Sequence, residues 1–305
     1  MGKILFITNM ENHFIGMKEA VANLAVDISE ARNITSQQID DNEVWDKKWE
    51  KQIAESDFIL FTWMGTGLCS DFLRKSSQFM QKYDKRHLFN TIQAADDVMD
   101  HGILPEQISE IKKYFSLGGL KNYTNLCLWL GYSFSNWQYA FDVPTELPWA
   151  AIYHPDAKKA FVNVEEYWEK FCRPDLPTVG FIFAREDWLW NKFDYQDEII
   201  HQMENEGCNI IPVFTNTMAD PATGAPGLAD NLNKFFYKDG KVIIDVLLNP
   251  FVFSLTNTGF LKLEDLRKLG VPILQIVNLY MDFTMLNRIL DIQSTNHSVF
   301  CRADR

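Results

Sequence analysis

The densest chemistry in the chain is the run Asp96-Asp97-Val98-Met99-Asp100-His101. On a helix, a DDxxD spacing sets two or three carboxylates on one face, which suits Mg²⁺ bridged to a diphosphate. Enzymes that use the motif this way need a second acidic motif on a facing helix of an all-helical fold, and the sequence supplies neither. A solvated acidic stretch is the favoured reading, because charge runs face water. Gly65-Thr66-Gly67 stands between an apolar run and a helical pattern, where a phosphate-cradling loop belongs. Position 70 is Ser70, so the third glycine of GxGxxG is missing, and GxxxxGK[ST] occurs nowhere. These glycines read as turn residues, and the chain has no ATPase motif of its own.

The six histidines, His13, His87, His101, His154, His201 and His297, form neither HxxxH nor HExxH. No Ser–His–Asp or Cys–His arrangement can be assembled from order and spacing. His201 lies among Asp197, Glu198, Glu204 and Asn205 at helical spacing, which marks a solvated face. His154 differs, sitting between Tyr153 and Pro155 in an apolar stretch; taken alone it reads as a satisfied structural histidine. The five cysteines (Cys69, Cys127, Cys172, Cys208, Cys301) are odd in number, spread out and never in a CxxC pair. That pattern fits reduced thiols in a cytoplasm, with no zinc framework and no metal site.

The elements that must position such residues are set by a chain of 305 residues, 47% hydrophobic, an ordinary globular balance. Single cores stop growing near about 250–300 residues, so two domains are expected. With 29 Lys+Arg against 41 Asp+Glu the formal net charge is −12. A field of that sign excludes nucleic acid and anionic membranes as partners of the overall surface. No apolar run approaches the roughly 20 residues of a bilayer span. The opening apolar stretch is cut by Asn9 and Glu11 too early for a signal peptide, so it reads as a first strand. Cytoplasmic localisation is the expectation.

Strand and helix signals alternate. Apolar runs at 3–8, 58–63 and 87–91 read as strands, and 16–32, 45–55, 70–83 and 105–115 as helices. The segment 126–132 is apolar but of undecided type. Residues 143–177 hold five of the eleven prolines and read as a Pro-rich linker with one helix at 164–171. The alternation then restarts with strands at 178–184, 209–214, 242–248 and 271–277 and helices at 195–206, 228–237 and 263–268. The fold expected is α/β: two tandem parallel-sheet units of flavodoxin or Rossmann type, 1–142 and 178–280, joined by the linker 143–177. A divergent tail, 281–305, is expected to pack poorly.

Two segments are not generic. Ala151-Ile152-Tyr153-His154-Pro155-Asp156-Ala157, followed by an aromatic helix ending Tyr167-Trp168, resembles the YHPDA segment of the large subunit of aerobic cobaltochelatase. The stretch 178–214 resembles the next block of that family, a strand ending in an Arg-x-x-Trp turn and a helix leading to a strand of the pattern N-(I/V)-(I/L)-P-V-F. The segment 268–275, reading KLGVPILQ, is similar to a further strand of the family. The likeness weakens outward, from about residue 3 to residue 280, and the same subunit class includes the large subunit of magnesium chelatase. That subunit is several-fold longer, so the resemblance implies an amino-terminal fragment, and no catalytic residue is assigned.

What the resemblance implies is tetrapyrrole (corrin precursor) handling in ATP-dependent metal insertion for cobalamin biosynthesis. ATP hydrolysis would belong to separate partner subunits, and Co²⁺ or Mg²⁺ would be the inserted ion. The chain itself would bind no cofactor and would be inactive alone. A surface that holds such a macrocycle wants arginines for peripheral carboxylates and aromatic platforms for its apolar face. Arg173, Arg185, Trp188 and Trp190 are available, with His154 near the junction. Arg185 and Trp188 directly follow the strand 178–184, and ligands of open α/β sheets sit outside the carboxyl ends of strands. The expected ligand-binding residues are therefore His154, Asp156, Arg185 and Trp188, with Arg185→Ala weakening binding at little cost to stability. The competing class is a non-catalytic α/β module that holds a small ligand or a tetrapyrrole between its units.

Overall fold

The computed structural model describes residues 3–24, 31–33, 47–64, 68–92, 99–221, 223–251 and 262–276. Asp96, Asp97, Gly65, Thr66, Gly67 and the tail 281–305 lie outside the described residues. The chain divides into two compact units, 1–147 and 148–305.

In the first unit β1 (Ile4–Thr8), α1 (Glu11–Ala22), β2 (Ala31–Asn33), α2 (Lys47–Glu55), β3 (Phe58–Met64), α3 (Leu68–Lys82) and β4 (Arg86–Ile92) follow in order. They are succeeded by α4 (Pro105–Leu117) and α5 (Leu120–Ser135). All strand pairings are parallel, in the order β2-β1-β3-β4. Continuous apolar strands are what a parallel sheet covered on both faces requires. Leu5, Ile7, Ile59, Phe61 and Trp63 pack with Trp49 and Ile53 of α2 and Leu73 and Met80 of α3. On the opposite face Phe6 stacks on Phe115 of α4 at 5.9 Å, and Phe58 on Phe134 of α5 at 4.0 Å.

Two expectations change here. The helix expected over 16–32 ends at Ala22, and Ala31–Asn33 pairs with β1 instead, because sheet pairing outweighs a helical apolar period. The undecided segment 126–132 is the middle of α5. A Cβ on Gly131 of that helix would lie 1.8 Å from the Trp137 ring, so the indole packs on the helix backbone only because the residue is glycine. Near the start of α1, His13 lies beside Phe115 and Tyr123, and its Nδ1 is buried with no hydrogen-bond partner. Burial lowers its pKa to about 4, so the ring is neutral. Of the acidic run, Asp100 uses its carboxylate to accept the Phe89 N–H at 2.8 Å.

The second unit holds β5 (Ala151–Ile152), α6 (Val164–Phe171), β6 (Thr178–Ala184), α7 (Arg185–Leu189), α8 (Asp194–Asn205) and β7 (Asn209–Thr215). Then come α9 (Leu228–Phe236), the hairpin β8 (Tyr237–Lys238) and β9 (Lys241–Val242), β10 (Val246–Asn249), α10 (Leu263–Leu269) and β11 (Ile273–Gln275). The main sheet runs β11-β10-β6-β7-β5, parallel except for β5. One face (Ile182, Ile211, Val213, Leu247) packs on Val164 and Tyr167 of α6 and Leu228, Leu232 and Phe235 of α9. The other (Val179, Phe181, Phe183, Ile210, Phe214) packs on Ile200 of α8.

The expected strand 242–248 is split. Asp239 and Gly240, at φ 51° and 73°, supply the two positive-φ residues of a tight hairpin turn, which draws Lys241–Val242 into β9. The segment 143–177 is engaged along its length. Thr145 is bonded through both amide and carbonyl to the Asn122 side chain of α5, while Ile152, Phe161, Val164 and Tyr167 enter the second core. The helix at 164–171 has the expected bounds, with Asn163 capping the N–H groups of Glu165 and Glu166.

Candidate functional site

In an open α/β sheet the ligand-facing end is the one where the parallel strands finish. For the second unit that end is defined by Ala184, Thr215, Asn249 and Gln275, the last residues of β6, β7, β10 and β11. Antiparallel β5 enters the sheet there: Ala151 pairs with Phe214, so Pro148 and Trp149 lie at the carboxyl edge as well.

Arg185 begins α7 directly beyond β6, with 2% of its surface exposed. Its Nε donates to the Pro148 carbonyl at 2.9 Å, and its guanidinium lies 4.4 Å from the Trp149 ring centroid. A cation so placed joins β6 to the entry of β5 through a charged hydrogen bond and a cation–π interaction. Trp188, one turn on, stacks on Phe214 of β7 at 4.4 Å with the planes 12° apart. Arg185 and Trp188 thus share the carboxyl edge, as the strand order implies.

His154 and Asp156 do not join them. The Tyr153 N–H donates to the Pro212 carbonyl at 2.8 Å, so β5 carries the chain away from the carboxyl edge. At about 3.3 Å per residue, His154 stands roughly 13 Å along the sheet from the Ala184–Thr215 level. There the Asp156 N–H donates to His154 Nδ1 at 3.1 Å, which leaves the ring proton on Nε2 to donate to Glu204 at 2.9 Å. The ring stacks on Phe171 at 3.8 Å and the residue is 2% exposed. Both nitrogens are engaged and the face is covered, the arrangement of a structural histidine that ties β5 to α6 and α8. Asp156 contributes its backbone to that arrangement, and its side chain is exposed.

The carboxyl edge also brings in a residue with no local sequence signal. Asp187, between Arg185 and Trp188, is half-buried; its Oδ2 accepts from Gln196 Nε2 at 2.7 Å and Tyr195 OH at 3.4 Å. Burial first, and the charge of Glu186 second, push its pKa up to about 6, with Tyr195, Lys192 and Gln196 opposing. Further along the edge, Asn231 donates to Thr215 Oγ1 at 2.7 Å and Asn249 to Gln275 Oε1 at 2.9 Å. Among the described residues no group of three or more His, Cys, Asp or Glu is placed to hold a metal ion, and no helix is long and apolar enough to cross a membrane.

This edge lies within a stretch, residues 112–285, that matches the family model described as CobN/Magnesium Chelatase, more than half of the chain. The chain belongs to the CobN/magnesium chelatase family. Two uncharacterized proteins of Methanocaldococcus jannaschii are similar to it: one is 34% identical over 176 residues, 55% of this chain and 14% of the relative, and the other 28% identical over 182 residues, 57% and 14%. This CobN-type chain therefore spans about one-seventh of the length of the curated relatives it matches. Among solved structures, the catalytic subunit of cobaltochelatase from Mycobacterium tuberculosis is similar in fold. Its TM-score is 0.52 at 15% identity, covering 94% of this chain and 22% of that one. The family match and the fold thus agree with the resemblance carried by the YHPDA and Arg-x-x-Trp segments.

Proposed function

We propose that this chain is part of a chelatase-type large subunit and that its second unit holds a tetrapyrrole at the carboxyl edge of the five-stranded sheet. The family match over residues 112–285, which contain that edge, carries the reading. Trp188 and Trp149 supply aromatic surface for an apolar macrocycle face, and Arg185 places a cation directly beyond β6. Because Arg185 is buried, its part is to hold the 148–149 turn and bias the edge toward anionic peripheral groups rather than to clasp a carboxylate in bulk water. His154 and Asp156 act one step removed, through the fixing of β5.

In this reading the macrocycle is a corrin precursor or a related free base, Co²⁺ or Mg²⁺ is the substrate ion, and ATP is hydrolysed by partner subunits in the cytoplasm. The chain alone inserts no metal. A non-catalytic holding module would share the same site, and adding the ion, ATP and the ATPase subunits separates the two readings by the presence or absence of metallated product. The direct test is titration of the full chain with a carboxylated free-base porphyrin, read by tryptophan fluorescence. Saturable quenching that Trp188→Leu diminishes is expected. Linear, unsaturable quenching in both proteins would refute the reading.

A further inference from the structure

We propose that Asp187 is the group by which this edge recognises a metal-free macrocycle, accepting a hydrogen bond and then the proton of an inner pyrrole N–H. The inference rests on the tetrapyrrole reading above and deepens it. Asp187 lies in the first turn beyond β6, two residues after Arg185 and next to Trp188, at the end of the sheet where the parallel strands finish. Its carboxylate is held from α8 by Gln196 Nε2 at 2.7 Å and by Tyr195 OH at 3.4 Å. The charged and titratable groups that bear on it are Glu186 beside it in α7, Lys192 in the turn to α8 and Tyr195 of α8.

Gln196 adds a second, independent observation. It is fully buried, and its Oε1 has no hydrogen-bond partner. A carboxylate needs a donor beside it and a carboxylic acid needs an acceptor; a primary amide provides either after a half-turn about its terminal torsion. With Nε2 toward Asp187 the pair suits the anion, and with Oε1 toward it the pair suits the acid. Gln196 is therefore a positioning residue for a carboxyl group that changes protonation state. A carboxyl group titrating near pH 6 takes up and releases a proton close to neutrality, which an ordinary aspartate does not.

In the transfer the incoming divalent substrate ion takes up the pyrrole nitrogen's electron pair as the N–H bond breaks, while an O–H bond forms on Asp187 and the proton then passes to water. Insertion of one divalent ion displaces two such protons, so the carboxyl group cycles twice. A macrocycle that already carries its metal has no inner N–H and gives Asp187 nothing to accept.

Discrimination between the two macrocycles is the test. Isothermal titration of the full chain compares a carboxylated free-base porphyrin with its nickel(II) complex, whose ion favours four in-plane ligands, between pH 5.5 and pH 8. At pH 8 the free base is expected to bind at least about tenfold more tightly, the weight of a hydrogen bond to a charged group. The preference should fade as pH drops below 6. Asp187→Asn should lose the preference for the free base over the nickel complex and the pH dependence of that preference, and Asp187→Glu should retain part of the preference. A preference unchanged in Asp187→Asn, or none in the unaltered chain, overturns the role of Asp187 and leaves the tetrapyrrole reading standing. Failure of either macrocycle to bind the unaltered chain overturns both.

Discussion

The Nε of Arg185 donates to the carbonyl of Pro148 at 2.9 Å, so the residue directly beyond β6 also fixes the entry of the antiparallel edge strand β5. An arginine in that position is a structural tie before it is anything else. Arg185→Ala should therefore cost the second unit about 2–4 kcal/mol, because the charged hydrogen bond and the cation–π interaction disappear together. The sequence alone leads to the opposite expectation, a substitution harmless to stability. Chemical denaturation followed through the second unit's tryptophans measures the difference, and a midpoint unchanged by the substitution would show that the tie is idle.

Asp187 gives the second unit a pH dependence of unusual sign. Its folded pKa lies near 6, above the ordinary value of 3.8, so the folded state binds more protons between about pH 4 and 6. Stability from this group falls as pH rises through that window and is lowest above it. Asp187→Asn should raise the melting temperature at pH 7.5, by the equivalent of about 1–2 kcal/mol after allowing for solvent screening, and change little at pH 4. Equal melting temperatures for the two proteins at both pH values would contradict the burial argument.

His13 sets the opposite trend in the first unit. Held neutral down to about pH 4, it binds fewer protons than in the unfolded chain, so stability is lost as pH falls from 6.5 toward 4. His13→Phe, which keeps the ring among Phe115 and Tyr123, should remove about 1–3 kcal/mol of that acid loss and have a small effect at pH 8. Melting curves of the two proteins across this range test the point; parallel curves would show that His13 does not drive the acid transition.

Gly131→Ala is expected to destabilise the first unit by about 1–3 kcal/mol or more, because the new methyl group and the Trp137 ring cannot occupy the same space. A full-strength melting transition with Trp137 fluorescence unaltered would mean that the indole relocates without cost.

Much of the fold was legible because both sheets are covered on both faces. The runs 178–184 and 209–214 are unbroken apolar segments, as buried parallel strands must be, and the helix 164–171 carries its own cap in Asn163. Ala31–Asn33 was not legible: three residues without apolar periodicity become a strand only through pairing with β1. Half of the candidate site was legible for the same kind of reason. Arg185 and Trp188 follow a strand that the sequence marks clearly. The direction of the two-residue β5 leaves no trace in sequence, yet that direction carries His154 away from Arg185. Asp187 was missed because its burial and its partner Gln196 depend on how α8 folds back over the sheet, and an Asp after Glu186 otherwise reads as a solvated pair.

If the carboxyl edge of the second sheet, and not the His154 region, holds the macrocycle, the two segments must respond differently to it. Hydrogen exchange of the full chain with and without a saturating carboxylated free-base porphyrin tests this most directly. Added protection is predicted in the amides of residues 185–190 and 149–151, with no change at residues 154–157. Protection centred on 154–157, or none in either segment despite saturable binding, would contradict the account.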